Sequence, residues 1–174
     1  MNGWRMWVPP ESQAAGCSFS PMPSERLPGK MQAALESRDP ARFGILPDTR
    51  GLRVVPGERY RLTAWVKADA SFKAEPGTPG VVLRATLFEF PGKDFPGGHI
   101  FAGFKGVAIG DPTPLAGAPP PREWAKIEAT IEIPDGVTHL IYFVFVWRAS
   151  GRLWVDDVSI VRVPRSSPVT TAIR

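Results

Sequence analysis

The sequence is poor in the residues that build metal centres and disulfides. Its 174 residues include one cysteine, Cys17, and two histidines, His99 and His139. A single cysteine excludes an intrachain disulfide, and the set is too small for a zinc site built from cysteine and histidine. No stretch approaches the roughly 18 consecutive apolar residues that a membrane span needs, so we expect no membrane partner. The first residues lack the basic and apolar segments of a signal peptide.

Helical periodicity is also missing. The chain contains 17 glycines and 20 prolines, and both residue types are unfavourable in helix interiors, which excludes a helical bundle. The formal net charge of +4 comes from basic residues that are scattered along the chain, with no run of five or more. We therefore expect a mildly basic, solvated surface and no nucleic-acid partner.

Alternation of apolar and polar residues is the strongest pattern in the chain. It runs through residues 60–68, 81–90 and 125–133. A period of two is typical of antiparallel strands with one buried and one solvated face. Weaker strand patterns occur at Trp4–Val8, Lys30–Ser37 and Arg42–Leu46.

One further segment, Leu140–Trp147, is apolar at every position. Such a strand is expected at the centre of a sheet, covered on both sides, so either Tyr142 or Phe143 must face away from the core. Residues 148–151 are predicted to form a short turn, after which Arg152–Val163 is the final strand. Several strands separated by Pro–Gly turns predict an all-β antiparallel sandwich of the jelly-roll type.

The length fits one domain. We predict a single β-sandwich domain over residues 1–163, followed by a tail or linker at residues 164–174. Residues 91–122 interrupt the regular spacing and are rich in glycine and proline. They are predicted to form a long loop, and loops of this length inside a compact domain are often functional.

Three segments in this order resemble a known family. They are Val54–Ala68, Trp124 with Ile127–Gly136, and Gly151–Ile160, which contains the pair Asp156–Asp157. Together they resemble the galactose-binding-like jelly roll of carbohydrate-binding modules, families four, nine and twenty-two. The resemblance implies a non-catalytic module that binds polysaccharide or oligosaccharide, accompanies a polysaccharide-degrading catalytic domain, and is secreted or displayed at the cell surface. It also implies a structural calcium ion with Asp157 as a ligand.

Sugar binding uses flat aromatic rings for the apolar faces of the sugar and polar groups for its hydroxyls. Four residues are candidates because they stand beside polar or charged residues on the non-core face of a strand: Trp65, Arg84, Phe88 and Tyr142. A concave sheet that carries them would form a shallow aromatic groove. The alternative is that the long loop, with Phe101 and Phe104, folds over this sheet and buries the rings, which would favour a structural or protein-interaction domain.

Enzyme chemistry has little support in the sequence. The nucleophile elbow, the zinc-protease motif and both phosphate-binding glycine motifs are absent. Glu128 and Glu132 share one strand face, but they stand about 13 Å apart along a strand, farther than the roughly 5–9 Å that paired glycosidase carboxylates need. We interpret them as solvated surface residues, and a small hydrolase remains a third alternative. Asp156 and Asp157 alternate across the sheet, so we expect a cation or backbone donors to meet one of them.

Overall fold

The computed structural model describes residues 3–47, 51–89, 93–104, 106–109 and 120–164. The strands in this part of the chain are β1 (Trp4–Trp7), β2 (Ser18–Pro23), β3 (Met31–Pro47), β4 (Leu52–Arg53), β5 (Arg59–Ala68), β6 (Lys73–Ala74), β7 (Gly80–Glu89), β8 (Lys93–Gly103), β9 (Gly106–Ile109), β10 (Ala125–Glu132) and β11 (His139–Val163). A 3-10 turn at Pro10–Ala15 is the only helical segment among these residues. The all-β prediction is therefore confirmed, and all strand pairs are antiparallel.

Two long strands, β3 and β11, take part in both layers of the fold. The first sheet has the order β1, the C-terminal half of β3, the N-terminal third of β11, β7, β8 and β9. The second sheet consists of β2, the N-terminal half of β3, the remainder of β11, β5 and β10. Strands β5 and β10 contact β7 without hydrogen-bonding to it, so the two sheets pack face to face as a sandwich.

The passage of β11 between the sheets occurs at bulges from Trp147 to Gly151. Arg148 has a φ angle of 51° and Gly151 one of 90°. A Cβ atom at Gly151 would lie 2.4 Å from the carbonyl oxygen of Ser71, so the position requires glycine. The prediction of a turn here is wrong: the strand bends at its bulges and continues, because a bulge alters direction without ending the ladder.

The core lies between the sheets and follows the predicted alternation. Inward-facing side chains alternate with outward-facing ones along β5, β7 and β10, and the buried ones include Leu62, Val66, Leu83, Ile127 and Ile131. Burial of apolar area stabilises the fold by about 25 cal/mol per Å², so this layer is where the two sheets are held together.

The predicted loop over residues 91–122 is wrong in its first half. Strands β8 and β9 occupy residues 93–103 and 106–109, and β8 pairs with β7 so that it extends the first sheet sideways. Ile100 points into the core and Phe101 to the outer surface. Phe101 is therefore part of this surface, not a cover over it, because it lies in the same sheet. Residues 110–119, and the predicted tail apart from Pro164, lie outside the described residues.

Candidate functional site

Aromatic side chains cover the outer surface of the first sheet. They form a second hydrophobic cluster, separate from the core, in which Trp7, Phe101, Phe143, Phe145 and Trp147 meet. We call these five rings, with Arg42 and Arg84, the aromatic face. The three phenylalanines are buried, whereas both tryptophans are half-buried and reach solvent. The face is thus a ring platform with indoles at its accessible edge.

The rings of the aromatic face form a continuous chain of contacts. Trp7 lies 6.4 Å from Phe143 and 5.6 Å from Phe145, measured between ring centroids. Trp147 lies 5.4 Å from Phe145 and 5.8 Å from Phe101, edge-on to the latter. Tilted and edge-on pairs at these distances are the preferred arrangements of aromatic rings. These contacts fix the positions of the rings relative to one another.

Gly44 makes this packing possible. It is paired with Trp7 on one side and with Phe145 on the other. A Cβ atom there would lie 2.5 Å from the carbonyl oxygen of Val144 and 3.1 Å from the Phe145 ring. The two aromatic side chains meet across the position because glycine places nothing between them.

Arg84 occupies the centre of the phenylalanine rings. Its guanidinium carbon lies 5.6 Å from Phe101, 5.4 Å from Phe143 and 5.5 Å from Phe145, measured to the ring centroids. One of its terminal nitrogens lies 3.2 Å from Nδ1 of His99. Cation–π contacts of this kind are worth about 0.5–2 kcal/mol depending on desolvation, and they hold planar donors among apolar rings.

Arg42 adds a second cation at the edge of the aromatic face. Its guanidinium carbon lies 4.5 Å from the Trp147 ring, and its backbone N–H donates to the Ser12 hydroxyl at 2.9 Å. The 3-10 turn that contains Ser12 therefore anchors the backbone that presents Arg42. The result is an arginine stacked on a half-exposed indole.

The four residues singled out in the sequence do not share one groove. Arg84 and Phe88 lie on the outer surface of the first sheet, where Phe88 stacks on His139 with a centroid distance of 5.7 Å. Tyr142 instead faces inward and packs edge-on against Trp4 at 6.1 Å. Of the two possibilities for this strand, Phe143 faces outward, because Val144 and Val146 are the core-facing positions of β11. Burial raises the pKa of the Tyr142 phenol above its usual value.

Trp65 lies on the opposite side of the sandwich, on the outer surface of the second sheet. Its ring is covered by the guanidinium of Arg26, whose carbon lies 3.8 Å from the ring centroid. The expected partner of Trp65 was a ligand or the loop at 91–122. The partner in the structure is the β2–β3 connection, because Ser24 and Glu25 hold that connection down over the sheet.

The anchoring of this connection involves a second cation and a second indole. Glu25 forms an ion pair with Lys67 and accepts a hydrogen bond from the Trp124 indole at 3.3 Å. The hydrogen bond from Lys67, aided by that from Trp124, lowers the pKa of the Glu25 carboxyl. Lys67 also lies 5.2 Å from the Trp124 ring and 4.8 Å from the Trp154 ring. Arg26 and Lys67 therefore each have a carboxylate of the protein nearby.

Asp156 and Asp157 have different environments. Asp156 is 1% exposed and accepts hydrogen bonds from the Ser24 hydroxyl at 2.6 Å and from the Asp157 N–H at 2.8 Å. Arg26 lies 3.8 Å from the same carboxylate. Asp157 is exposed, with a φ angle of 47°. No group of three or more metal-ligating side chains occurs in the described part of the chain. A calcium ion at Asp157 stays a prediction.

The carboxylates on β10 are surface residues, as interpreted. Glu128 and Glu132 are exposed on alternate positions of the strand. Glu128 pairs with Lys126, and that hydrogen bond lowers the pKa of the Glu128 carboxyl. A lowered pKa is the opposite of what a general acid requires.

Sequence reasoning missed most of the aromatic face. The sequence places Trp7 in a weak strand pattern, Phe101 in a long loop and Trp147 at the end of a central strand. The available signal was the segment Leu140–Trp147, which is apolar on both sides and therefore predicts a hydrophobic surface outside the core. The alternation pattern does not give the strand register that brings Trp7 and Phe101 beside this segment.

Comparisons with known proteins identify the fold. No protein-family model matches the sequence, and no curated protein sequence is significantly similar to it. Solved structures do match. The xylan-binding domain CBM22-1 of xylanase Xyn10C from Paenibacillus barcinonensis has a TM-score of 0.55 and 13% identity, over 95% of this chain and 89% of that one. The fold is that of a carbohydrate-binding module jelly roll.

Two further matches are parts of larger proteins. The first is the CBM22-1–GH10 portion of xylanase 10B from Clostridium thermocellum, complexed with xylohexaose, with a TM-score of 0.59 and 14% identity over 92% of this chain. The second is the enzymatically active domain of tailspike protein 4 from bacteriophage CBA120, with a TM-score of 0.57 and 11% identity over 93% of this chain. This chain spans 26% of the xylanase chain and 20% of the tailspike chain. At these identities the likeness concerns the fold.

Proposed function

We propose that this chain is a non-catalytic carbohydrate-binding module that binds polysaccharide or oligosaccharide across the aromatic face. The observation that carries the proposal is a connected set of rings on the solvent side of a sheet, with Trp7 and Trp147 half-exposed and Arg84 among them. The Trp7 and Trp147 rings lie outside the core, where they are suited to stack on the apolar faces of sugars. The Arg84 guanidinium donates hydrogen bonds to sugar hydroxyls.

The partner domain and location follow from the same proposal. Two solved proteins that share the fold carry it within chains several times longer, and each is part of an enzyme by its description. We extend this arrangement to the present chain: it accompanies a polysaccharide-degrading catalytic domain and is secreted or displayed at the cell surface. No helix in the described ranges has the length and apolar character to cross a bilayer.

The proposal is tested by titrating the protein with a panel of soluble polysaccharides in affinity gels and by calorimetry. The informative variant is Trp147→Ala, with Trp65→Ala as its matched control on the opposite sheet. By analogy with stacking on other planar rings, Trp147→Ala is expected to weaken binding by about 1–3 kcal/mol. Trp65→Ala is expected to leave binding unchanged, because Trp65 lies on the outer surface of the opposite sheet.

The opposite results have distinct meanings. Loss of binding in Trp65→Ala alone would place the ligand on the second sheet. A parent protein that binds no polysaccharide would favour a structural or protein-interaction role for the domain. Thermal midpoints of both variants are measured in parallel, so that a loss of affinity is separated from a loss of folded protein.

A further inference from the structure

A further tryptophan, Trp154, lies on the outer surface of the second sheet, on the side of the sandwich opposite to the aromatic face. By strand register it pairs with Lys67 on β5 and with Ala34 on β3, and Ala34 pairs with Ser20 on β2. The residues before and after Trp154 are buried in the core, so its indole points away from the core. The ring is half-buried and therefore reaches solvent.

Small side chains leave room beside this ring. Ala34 carries only a methyl group and is half-buried, and Ser20 carries a short hydroxyl side chain and is exposed. Both stand in the same row across the strands as Trp154. Because neighbouring strands lie about 4.8 Å apart, the row from Trp154 to Ser20 is about 10 Å long, which is the length of a disaccharide. We call Trp154, Ala34 and Ser20 the indole strip.

Two ion pairs border the indole strip. Lys67 lies 4.8 Å from the centroid of the Trp154 ring and pairs with Glu25. Arg152 stands two residues before Trp154 on the same face of β11, and it donates a hydrogen bond to Glu36 at 2.8 Å. Because each of these cations has a carboxylate partner, the four charges cancel. The border therefore presents hydrogen-bond donors and acceptors together without an excess of either charge.

This combination fits a neutral sugar better than a charged ligand. The apolar face of a sugar ring stacks on an indole, and each sugar hydroxyl both donates and accepts hydrogen bonds. An ammonium has three donors and a carboxylate about four acceptor sites, so an ion pair keeps hydrogen-bonding capacity for hydroxyls after its own contact is made. A charged ligand would instead compete with the partner that each cation or carboxylate already has.

We propose that the indole strip is a second carbohydrate-binding site, which takes a neutral oligosaccharide or a segment of a neutral polysaccharide. One sugar ring lies on Trp154 and the next lies above Ala34, and their hydroxyls exchange hydrogen bonds with the two bordering ion pairs. Since the indole strip and the aromatic face lie on opposite surfaces of the sandwich, one domain holds two polysaccharide chains at once. The inference goes beyond the proposed function, which needs only the aromatic face.

The test uses a soluble glucan, mannan, xylan and galactan, all neutral, and the hexasaccharides prepared from each. The indole N–H of every tryptophan gives its own signal in the NMR spectrum of nitrogen-labelled protein, and Trp154→Phe identifies the signal of Trp154 by its disappearance. We expect at least one hexasaccharide to shift this signal. The shift should persist in Trp147→Ala, in which the aromatic face has lost one of its accessible rings. A ring that serves only to pack against the sheet would give no such shift.

Ala34→Leu fills the indole strip without removing the ring. The added atoms point outward from the sheet, so we expect the unfolding midpoint to stay near that of the parent. Measured in the Trp147→Ala background, Ala34→Leu should weaken hexasaccharide binding about ten- to hundredfold, as Trp154→Ala should by analogy with stacking on other rings. Thr130→Leu is the control, since it adds bulk at an exposed position of the same sheet, six rows or about 20 Å from Trp154, and should leave binding unchanged.

Two sites on one domain also predict that the parent cross-links a dilute polysaccharide. Light scattering of the mixture should rise for the parent and for Thr130→Leu, and it should stay low for Ala34→Leu and for Trp147→Ala, each of which retains one site.

The outcomes separate the second site from the proposed function. A Trp154 signal that no hexasaccharide shifts, or cross-linking by Ala34→Leu equal to that of the parent, overturns the second site. If Trp147→Ala then abolishes binding, the aromatic face stands as the binding surface. Binding that Ala34→Leu abolishes and Trp147→Ala leaves intact supports the indole strip and overturns the aromatic face. No binding to any of the polymers overturns both proposals.

Discussion

Replacement of Asp156 by asparagine is expected to destabilise the fold strongly, whereas the same change at Asp157 is expected to do little. The two residues are neighbours with the same side chain, but Asp156 is 1% exposed and Asp157 is exposed. In Asp156→Asn, an amide group replaces one of two oxygens that accept hydrogen bonds. A donor then faces the Ser24 hydroxyl or the Asp157 N–H, and Arg26 loses its nearby anion.

The magnitude follows from these contacts. A hydrogen bond to a charged group is worth about 1.5–3 kcal/mol, and removing one partner of a buried ion pair costs about 3–5 kcal/mol. Because Arg26 lies 3.8 Å away and asparagine keeps one acceptor, we expect the free energy of unfolding of Asp156→Asn to fall by about 3 kcal/mol. For Asp157→Asn we expect a change within about 0.5 kcal/mol, since the position is exposed and asparagine tolerates its positive φ angle.

Urea unfolding followed by tryptophan fluorescence measures both changes, with chelator and with added calcium. We expect the same ranking of the two variants in both conditions, because the Asp156 carboxylate is met by protein donors. If calcium binds at Asp157, the parent gains stability with calcium and Asp157→Asn abolishes that gain. Equal costs for the two variants in the presence of chelator would refute the reasoning.

Three further outcomes test other contacts. Burial raises the pKa of both tyrosines, Tyr60 and Tyr142, so tyrosinate absorbance should rise only above about pH 10. The protein should keep its full stability below that pH and lose stability as the pH rises through the raised pKa values. Normal titration of either tyrosine would contradict this. Lys67 lowers the pKa of Glu25, so the ion pair between them stabilises the fold above about pH 4.3 and this stabilisation is lost in acid. The thermal midpoints of Glu25→Gln and the parent should therefore converge as the pH falls. A constant difference between the midpoints would argue against the ion pair. Gly44→Ala should cost about 1–3 kcal/mol in denaturant unfolding through overpacking, since its Cβ would meet a backbone oxygen at 2.5 Å, and an unchanged midpoint would show that β3 can shift freely.

The strands of the sandwich could be predicted from alternation because one face of each is buried. Residues 60–68, 81–90 and 125–133 match β5, β7 and β10 closely. The long strands were harder to predict. The sequence predicts two strands where β3 is continuous, and it predicts a turn where β11 bends. A bulge with Arg148 at positive φ and a chain-reversing turn have the same local sequence pattern.

The site was less predictable than the fold, since it depends on register. In a strand that is apolar on both sides, nothing local decides whether Tyr142 or Phe143 faces the core. The pairing of β11 with β3 and β7 decides it. Likewise Trp65 has the sequence environment of an exposed ring, but Arg26, in a connection thirty-nine residues earlier in the chain, covers it. A contact between residues so far apart in the sequence does not alter the alternation of apolar and polar residues around either of them.

The order in which the chain is synthesised gives the shared strand β11 a consequence for folding in the cell. β11 lies between β3 and β7 in the first sheet and between β3 and β5 in the second. While residues 139–163 are still inside the ribosome, the emerged part of the chain lacks the strand that joins β3 to β7 and β3 to β5. The edges of those strands that β11 will occupy are therefore unpaired. Neither sheet can close until β11 has been released. The pairs between β11 and β3 join residues about a hundred positions apart, and such a topology folds slowly. This domain therefore commits to its structure after translation of its last strand, and until then it depends on whatever shields its open edges from other chains.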